Sequence, residues 1–105
     1  MKKVKLDFEF AINQFIQQVK DLSFESVDIN LDDYTTDDPY VFKGTLDGIW
    51  IVDKLEILVN CRGVAGFKWS LAVEIGGKKL TPKPIEGKIN KKGLSIHYKS
   101  YTLPA

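Results

Sequence analysis

Few side chains in this sequence could act as a nucleophile or carry a proton near neutral pH. Cys61 is its one cysteine and His97 its one histidine, and Cys61 sits in "VNCRGVAGFKW" beside the single arginine, Arg62. A thiol does nucleophilic work when a nearby base or cation lowers its pKa and a donor meets the developing charge. Parity argues against such a pair. Cys61 shares the parity of Leu55, Ile57 and Val59, a core-facing row, whereas His97 falls on the outward parity with Ser95 and Lys99. Side chains on opposite faces of a sheet do not meet. The expectation is a buried, inert cysteine and a solvated histidine, with no catalytic residues assigned. One Cys and one His are too few for a dedicated zinc site, so no metal and no cofactor is expected.

The glycines of the same stretch, Gly63 and Gly66, invite comparison with phosphate-binding loops. A Walker loop needs G-x-x-x-x-G-K-[ST] leading into a helix, and a dinucleotide fingerprint needs three glycines between strand and helix. "GVAG" matches only the short G-x-x-G of KH domains, and there the loop joins helices. Here strong strand patterns flank it. It reads as a hairpin loop whose glycines visit positive φ.

Carboxylates cluster in "DINLDDYTTDDP". Asp28, Asn30 and Asp32 fit the first, third and fifth positions of a calcium loop, but Asp33 replaces the required Gly and Pro39 the final Glu. What remains is an acidic patch or weak cation site at Asp32, Asp33, Asp37 and Asp38. Glu56 and Glu74 lie on polar strand parities beside Lys54 and Lys68, where cross-strand ion pairing accounts for them.

Lys78, Lys79, Lys83, Lys88, Lys91 and Lys92 form the basic counterpart, with one Glu among them. They suit phosphate contacts, yet no aromatic lies between Trp69 and Tyr98 to give bases a stacking platform. Weak, non-specific nucleic-acid binding is therefore the third functional reading. The net charge of +1 hides a division: residues 1–53 carry 5 Lys against 11 acids, and residues 54–105 carry 9 Lys and 1 Arg against 3 acids. Such asymmetry marks either an interaction surface or a dipolar fold that neutralises itself.

The elements that must position these groups follow from hydrophobic spacing. In "DFEFAINQFIQQVKDL" Phe8, Ile12, Phe15, Val19 and Leu22 recur at four- and three-residue steps, which predicts a helix capped by Asp7. Val4, Leu6, Phe8 and Phe10 also alternate, so a short strand could lead in. Period two follows in "SVDINL", "YVFKGTL", "FKWSLAVEI" and "LSIHYKS", the last with Leu94, Ile96 and Tyr98 inward; Asp47-Gly48, Gly76-Gly77 and "NKKG" supply turns. The predicted fold is α+β, a single domain over residues 1–105: an N-terminal helix packed on a curved antiparallel meander of six to seven short strands. The alternative is a small β-sandwich or partly closed β-barrel with one helix.

One strand pattern is apolar on both faces. In "IWIVDKLEILVNC" Trp50, Val52 and Leu58 oppose Ile49, Ile51, Leu55 and Ile57. Either the sheet folds back over Trp50, or the three form an exposed patch for a partner or a second copy. The functional reading is a non-enzymatic interaction domain that binds a macromolecule, most simply a protein, or self-associates. Trp50, Val52 and Leu58 would anchor it, and the charged clusters would steer it. The alternative is an apolar-ligand binder whose cup is lined by Phe8, Phe15, Phe42, Trp69 and Tyr98. The N-terminal residues lack an apolar signal core, no run approaches a membrane span, and the lone Cys suits a reducing compartment, so a cytoplasmic location without membrane insertion is expected.

Overall fold

In the computed structural model, which describes residues 1–104, every regular element except one 3₁₀ turn is a strand. The strands are β1 (Lys2–Ala11), β2 (Ile16–Phe24), β3 (Val27–Asp28), β4 (Val41–Ile51), β5 (Lys54–Gly63), β6 (Lys68–Ile75), β7 (Lys78–Lys79), β8 (Ile85–Lys88) and β9 (Leu94–Thr102). The 3₁₀ turn is Leu31–Asp33, capped by the Asn30 side chain, which accepts from the Asp32 N–H. Two antiparallel sheets pack face to face as a β-sandwich. One sheet has the order β4–β1–β6–β7, with β8 also pairing with β6; the other has the order β3–β2–β5–β9.

This corrects the α+β expectation. The segment read as a helix is a pair of strands in different sheets. Leu6, Phe8 and Phe10 alternate inward on β1, the chain turns at residues 12–15, and β2 returns across the core. The spacing of three in Ile16, Val19 and Leu22 arises from two register shifts against β5, between Ile16 and Gln18 and between Val19 and Asp21. Each shift inserts a residue, so inward positions fall three apart instead of two and imitate a helical step.

The meander is corrected too. The chain crosses between sheets from β1 to β2, β3 to β4, β4 to β5, β5 to β6 and β8 to β9, so most sheet neighbours are distant in sequence. Asp47-Gly48 is not a turn but the irregularity in β4 where Val4 pairs with Ile49 and Leu6 with Leu46. Strand "SVDINL" pairs only at Val27–Asp28, in a tight hairpin whose turn residues Glu25 and Ser26 have φ of 51° and 64°. The Gly63–Gly66 stretch joins the two sheets instead of forming a hairpin. Only Gly66 adopts positive φ, 94°, while Gly63 is needed because a Cβ there would press on the Phe15 carbonyl.

Inner faces of both sheets supply the core. Phe10, Trp69 and Leu71 from one sheet meet Leu22, Leu55, Ile57, Val59 and Cys61 from the other, all nearly or wholly inaccessible. Trp69 is the largest of them, and its indole N–H donates to Ser95 Oγ at 3.0 Å.

Candidate functional site

The crossing between β4 and β5 explains the doubly apolar stretch. Ile49 and Ile51 face inward from one sheet, and Leu55 and Ile57 face inward from the other. Trp50, 57% exposed, therefore lies on the outer face of the first sheet, with Val52, 70% exposed, in the turn beyond it. Leu58 lies on the outer face of the second sheet. The three do not form one patch.

The five residues expected to line a ligand cup do not share one concavity among the described residues. Phe8 and Trp69 are core, Phe42 is half-buried, and Phe15 stacks on Phe67 at 4.1 Å near the sandwich rim. Tyr98, expected inward, is 67% exposed on the outer face. Strand β9 has the parity opposite to the expected one: Ser95 and His97 turn inward, while Ile96 and Tyr98 turn out. The reason is Trp69, whose buried N–H requires the Ser95 hydroxyl and whose ring edge packs on His97 with centroids 5.7 Å apart. His97 Nε2 also lies 2.8 Å from the Tyr101 hydroxyl.

His97 thus shares the inner face with Cys61, opposite the expectation from parity. They are not direct cross-strand partners, since Cys61 pairs with Ser95 and Val59 with His97. Burial pushes the Cys61 thiol up to about 12, with Arg62 pulling more weakly the other way. Burial and, to a lesser degree, Lys99 lower the His97 pKa. A buried thiol that resists ionisation, sharing a face with a histidine whose pKa is lowered, does not favour a thiolate–imidazolium pair.

The charged clusters occupy opposite edges of the first sheet. The segment holding Asp32, Asp33, Asp37 and Asp38 runs along β4, where Lys43 N–H donates to Tyr34 O at 3.0 Å and Thr35 bridges Phe42. Lys78, Lys79, Lys83 and Lys88 lie on or beside β7 and β8, and Lys91 and Lys92 in the turn before β9. Among the described residues no three His, Cys, Asp or Glu side chains gather to hold a metal ion. Asp38 is engaged locally, accepting from the Tyr40 N–H at 2.8 Å. An open groove of about 320 Å³ on the outer face of this sheet includes Lys43, Lys79 and Lys83, but also Asp7, Glu9 and Glu74. Lys43 pairs with Glu9 at 3.3 Å there, and elsewhere Lys68 pairs with Glu86 at 3.7 Å rather than with Glu74. The lysines therefore do not present a uniformly basic surface.

The outer face of the second sheet is different in kind. Ile96, 61% exposed, and Tyr98 stand beside half-buried Leu58 over a depression of about 420 Å³ completed by Ser23, Ser26 and Glu56. The Tyr98 hydroxyl donates to Glu56 Oε2 at 2.7 Å, which fixes the ring and raises its pKa. A polar run borders it: Arg62 Nη1 donates to Asn60 Oδ1 at 2.9 Å, and Asn60 Nδ2 to Asp21 Oδ2 at 3.0 Å. Sequence reasoning missed Ile96 because it assigned the apolar row of β9 to the core. What overrides that assignment is Ser95, whose hydroxyl accepts from the Trp69 indole N–H across 26 residues of chain, a pairing that hydropathy does not announce.

No protein-family model, curated protein or solved structure matches the chain.

Proposed function

We propose that this chain is a protein-interaction domain that docks a polypeptide on the outer face of the β2–β5–β9 sheet. The observation that carries the reading is the exposed pair Ile96 and Tyr98, set with Leu58 around a shallow depression. Protein interfaces place aromatic and aliphatic anchors at the centre of a patch and polar groups at its rim. The patch has that composition, with Glu56 holding the tyrosine and the Asp21–Asn60–Arg62 run along one side. Its chemistry is that of contact, since Cys61 and half-buried His97 turn to the opposite, inner face of the sheet.

The test compares capture from the source cell's lysate by the wild type, by Ile96→Asp and by Trp50→Asp, with circular dichroism confirming that each is folded. The expected result is one protein retained by the wild type and by Trp50→Asp, and weakened at least about thirtyfold by Ile96→Asp, the size of a hot-spot loss. Equal retention by Ile96→Asp, or loss in Trp50→Asp alone, would overturn the assignment of this face.

A further inference from the structure

We infer that the polypeptide recognised here is a second copy of the chain, added antiparallel at the open edge of β9 that borders this face, so that the β3–β2–β5–β9 sheets of the two copies become one. The inference rests on the docking reading above and deepens it by naming the partner and its register.

The argument begins with the sheet edges, because an edge strand offers unpaired N–H and C=O groups that proteins normally guard. Three of the four edges are guarded. Along β4, the Tyr34–Asp38 segment bonds over Val41–Lys43, and the remainder is interrupted by the irregularity at Asp47-Gly48. On the far side of that sheet β7 has two residues and β8 four; β3 has only two, and the part of β2 it leaves uncovered, residues 16–21, is broken by two register shifts. Strand β9 has nine residues, LSIHYKSYT, with neither Pro nor Gly. It pairs with β5 from Lys54↔Thr102 to Arg62↔Leu94 without a single register shift. It is long and regular, and Lys99 is its only residue of fixed charge.

Backbone directions can be assigned. Gly63 N–H donates to Gly93 O at 3.1 Å, so the Gly93 carbonyl faces β5, and Leu94 O instead accepts from Asn90 N–H at 2.8 Å on the other side. Along a strand these directions alternate, each residue turning N–H and C=O to the same edge in an antiparallel pair. Ser95, His97, Lys99 and Tyr101 therefore bond to β5, while Ile96, Tyr98 and Ser100 turn theirs to the open edge. The exposed side chains Ile96 and Tyr98 belong to the residues whose backbone is bare.

An antiparallel strand pair is two-fold symmetric, so this edge can receive its own copy. Placing the axis at Tyr98 sets Tyr98 opposite Tyr98 and Ile96 opposite Ser100, and these pairs use every bare group of the three residues. Lys99 then lies opposite His97 of the other copy. An axis at Lys99 would oppose two lysines, which is unfavourable. An axis at His97 would need Leu94, whose N–H and C=O are already held by Asn90.

The test is sedimentation of the wild type and of Tyr98→Pro from low to high micromolar concentration. Proline is tolerated on an edge strand where its missing N–H would face solvent, so the fold of the monomer is retained. A dimer that forms with concentration and is lost in Tyr98→Pro supports the inference. A wild type that stays monomeric overturns the second copy, while the Ile96→Asp capture separately judges the docking face. A dimer undiminished in Tyr98→Pro overturns strand addition. Should the proline variant not fold, oxidation of Tyr98→Cys in a Cys61→Ala background decides. Facing Cα atoms of a bonded antiparallel pair lie about 5.5 Å apart, within disulfide reach, so covalent dimer is expected. Ser100→Cys, offset by four residues or roughly 14 Å along the strand, is expected to stay monomeric on the same treatment. Cross-linking at 100 and not at 98 would overturn the register.

Discussion

Cys61 offers a quantitative test of how the sandwich interior is built. Its side chain is inaccessible, opposite Ser95 on the inner face of β5. Burial raises its pKa from 9.0 to about 12. At pH 8 that shift alone lowers the thiolate population about a thousandfold, and thiolate is the reactive form. Labelling with an aromatic disulfide reagent at pH 8 should therefore be at least about a thousandfold slower for the folded protein than in urea. The same shift sets an alkaline signature. A thiol whose folded pKa is raised leaves the unfolded state to ionise first, so stability is intact below about pH 9 and falls by about 1.4 kcal/mol per pH unit toward pH 12. Tyr98 and Tyr101 are also raised and act in the same direction, so the thiol's share is the difference in slope between wild type and Cys61→Ala. Folded-state labelling within about tenfold of the unfolded rate would refute the burial argument, because it would require an accessible, ionisable thiol.

Three further outcomes follow from local geometry. A Cβ on Gly87 would overlap the Trp69 indole, so Gly87→Ala should destabilise the fold by about 1–3 kcal/mol in urea titration, with a red-shifted tryptophan emission as the ring moves. Ser26 occupies φ of 64° in the β2–β3 turn, so Ser26→Gly should raise the melting temperature, through a gain of up to about 1 kcal/mol. Burial and Lys99 lower the His97 pKa, so its contribution is present above the unfolded value of 6.5 and is lost as pH falls below it; His97→Gln should flatten the stability profile on that side.

The strands whose two faces differ in polarity were legible in the sequence, and those with mixed faces were not. Phe67, Trp69, Leu71, Val73 and Ile75 alternate cleanly, and Trp69, Leu71, Val73 and Ile75 are buried as that pattern requires. Residues 7–22 misled because the irregular pairing of β2 spaces its inward residues by three, the step that also builds a helical stripe. The Glu25-Ser26 turn carries no Gly or Asn to announce it. Strand β9 misled for another reason. Its apolar residues face out and its polar ones face in, an inversion set by a hydrogen bond to Trp69 from 26 residues away in the chain. Hydropathy reads exposure only on average, and β9 is a strand where that average fails.

The most direct measurement is amide hydrogen exchange along β9 in dilute and in concentrated protein. The amides of Ser95, His97 and Lys99, bonded to β5, should be slow in both. Those of Ile96, Tyr98 and Ser100 should exchange fast when dilute and become protected when concentrated. Equally fast exchange of these three at both concentrations would contradict the assignment of this edge as a docking strand for a second copy.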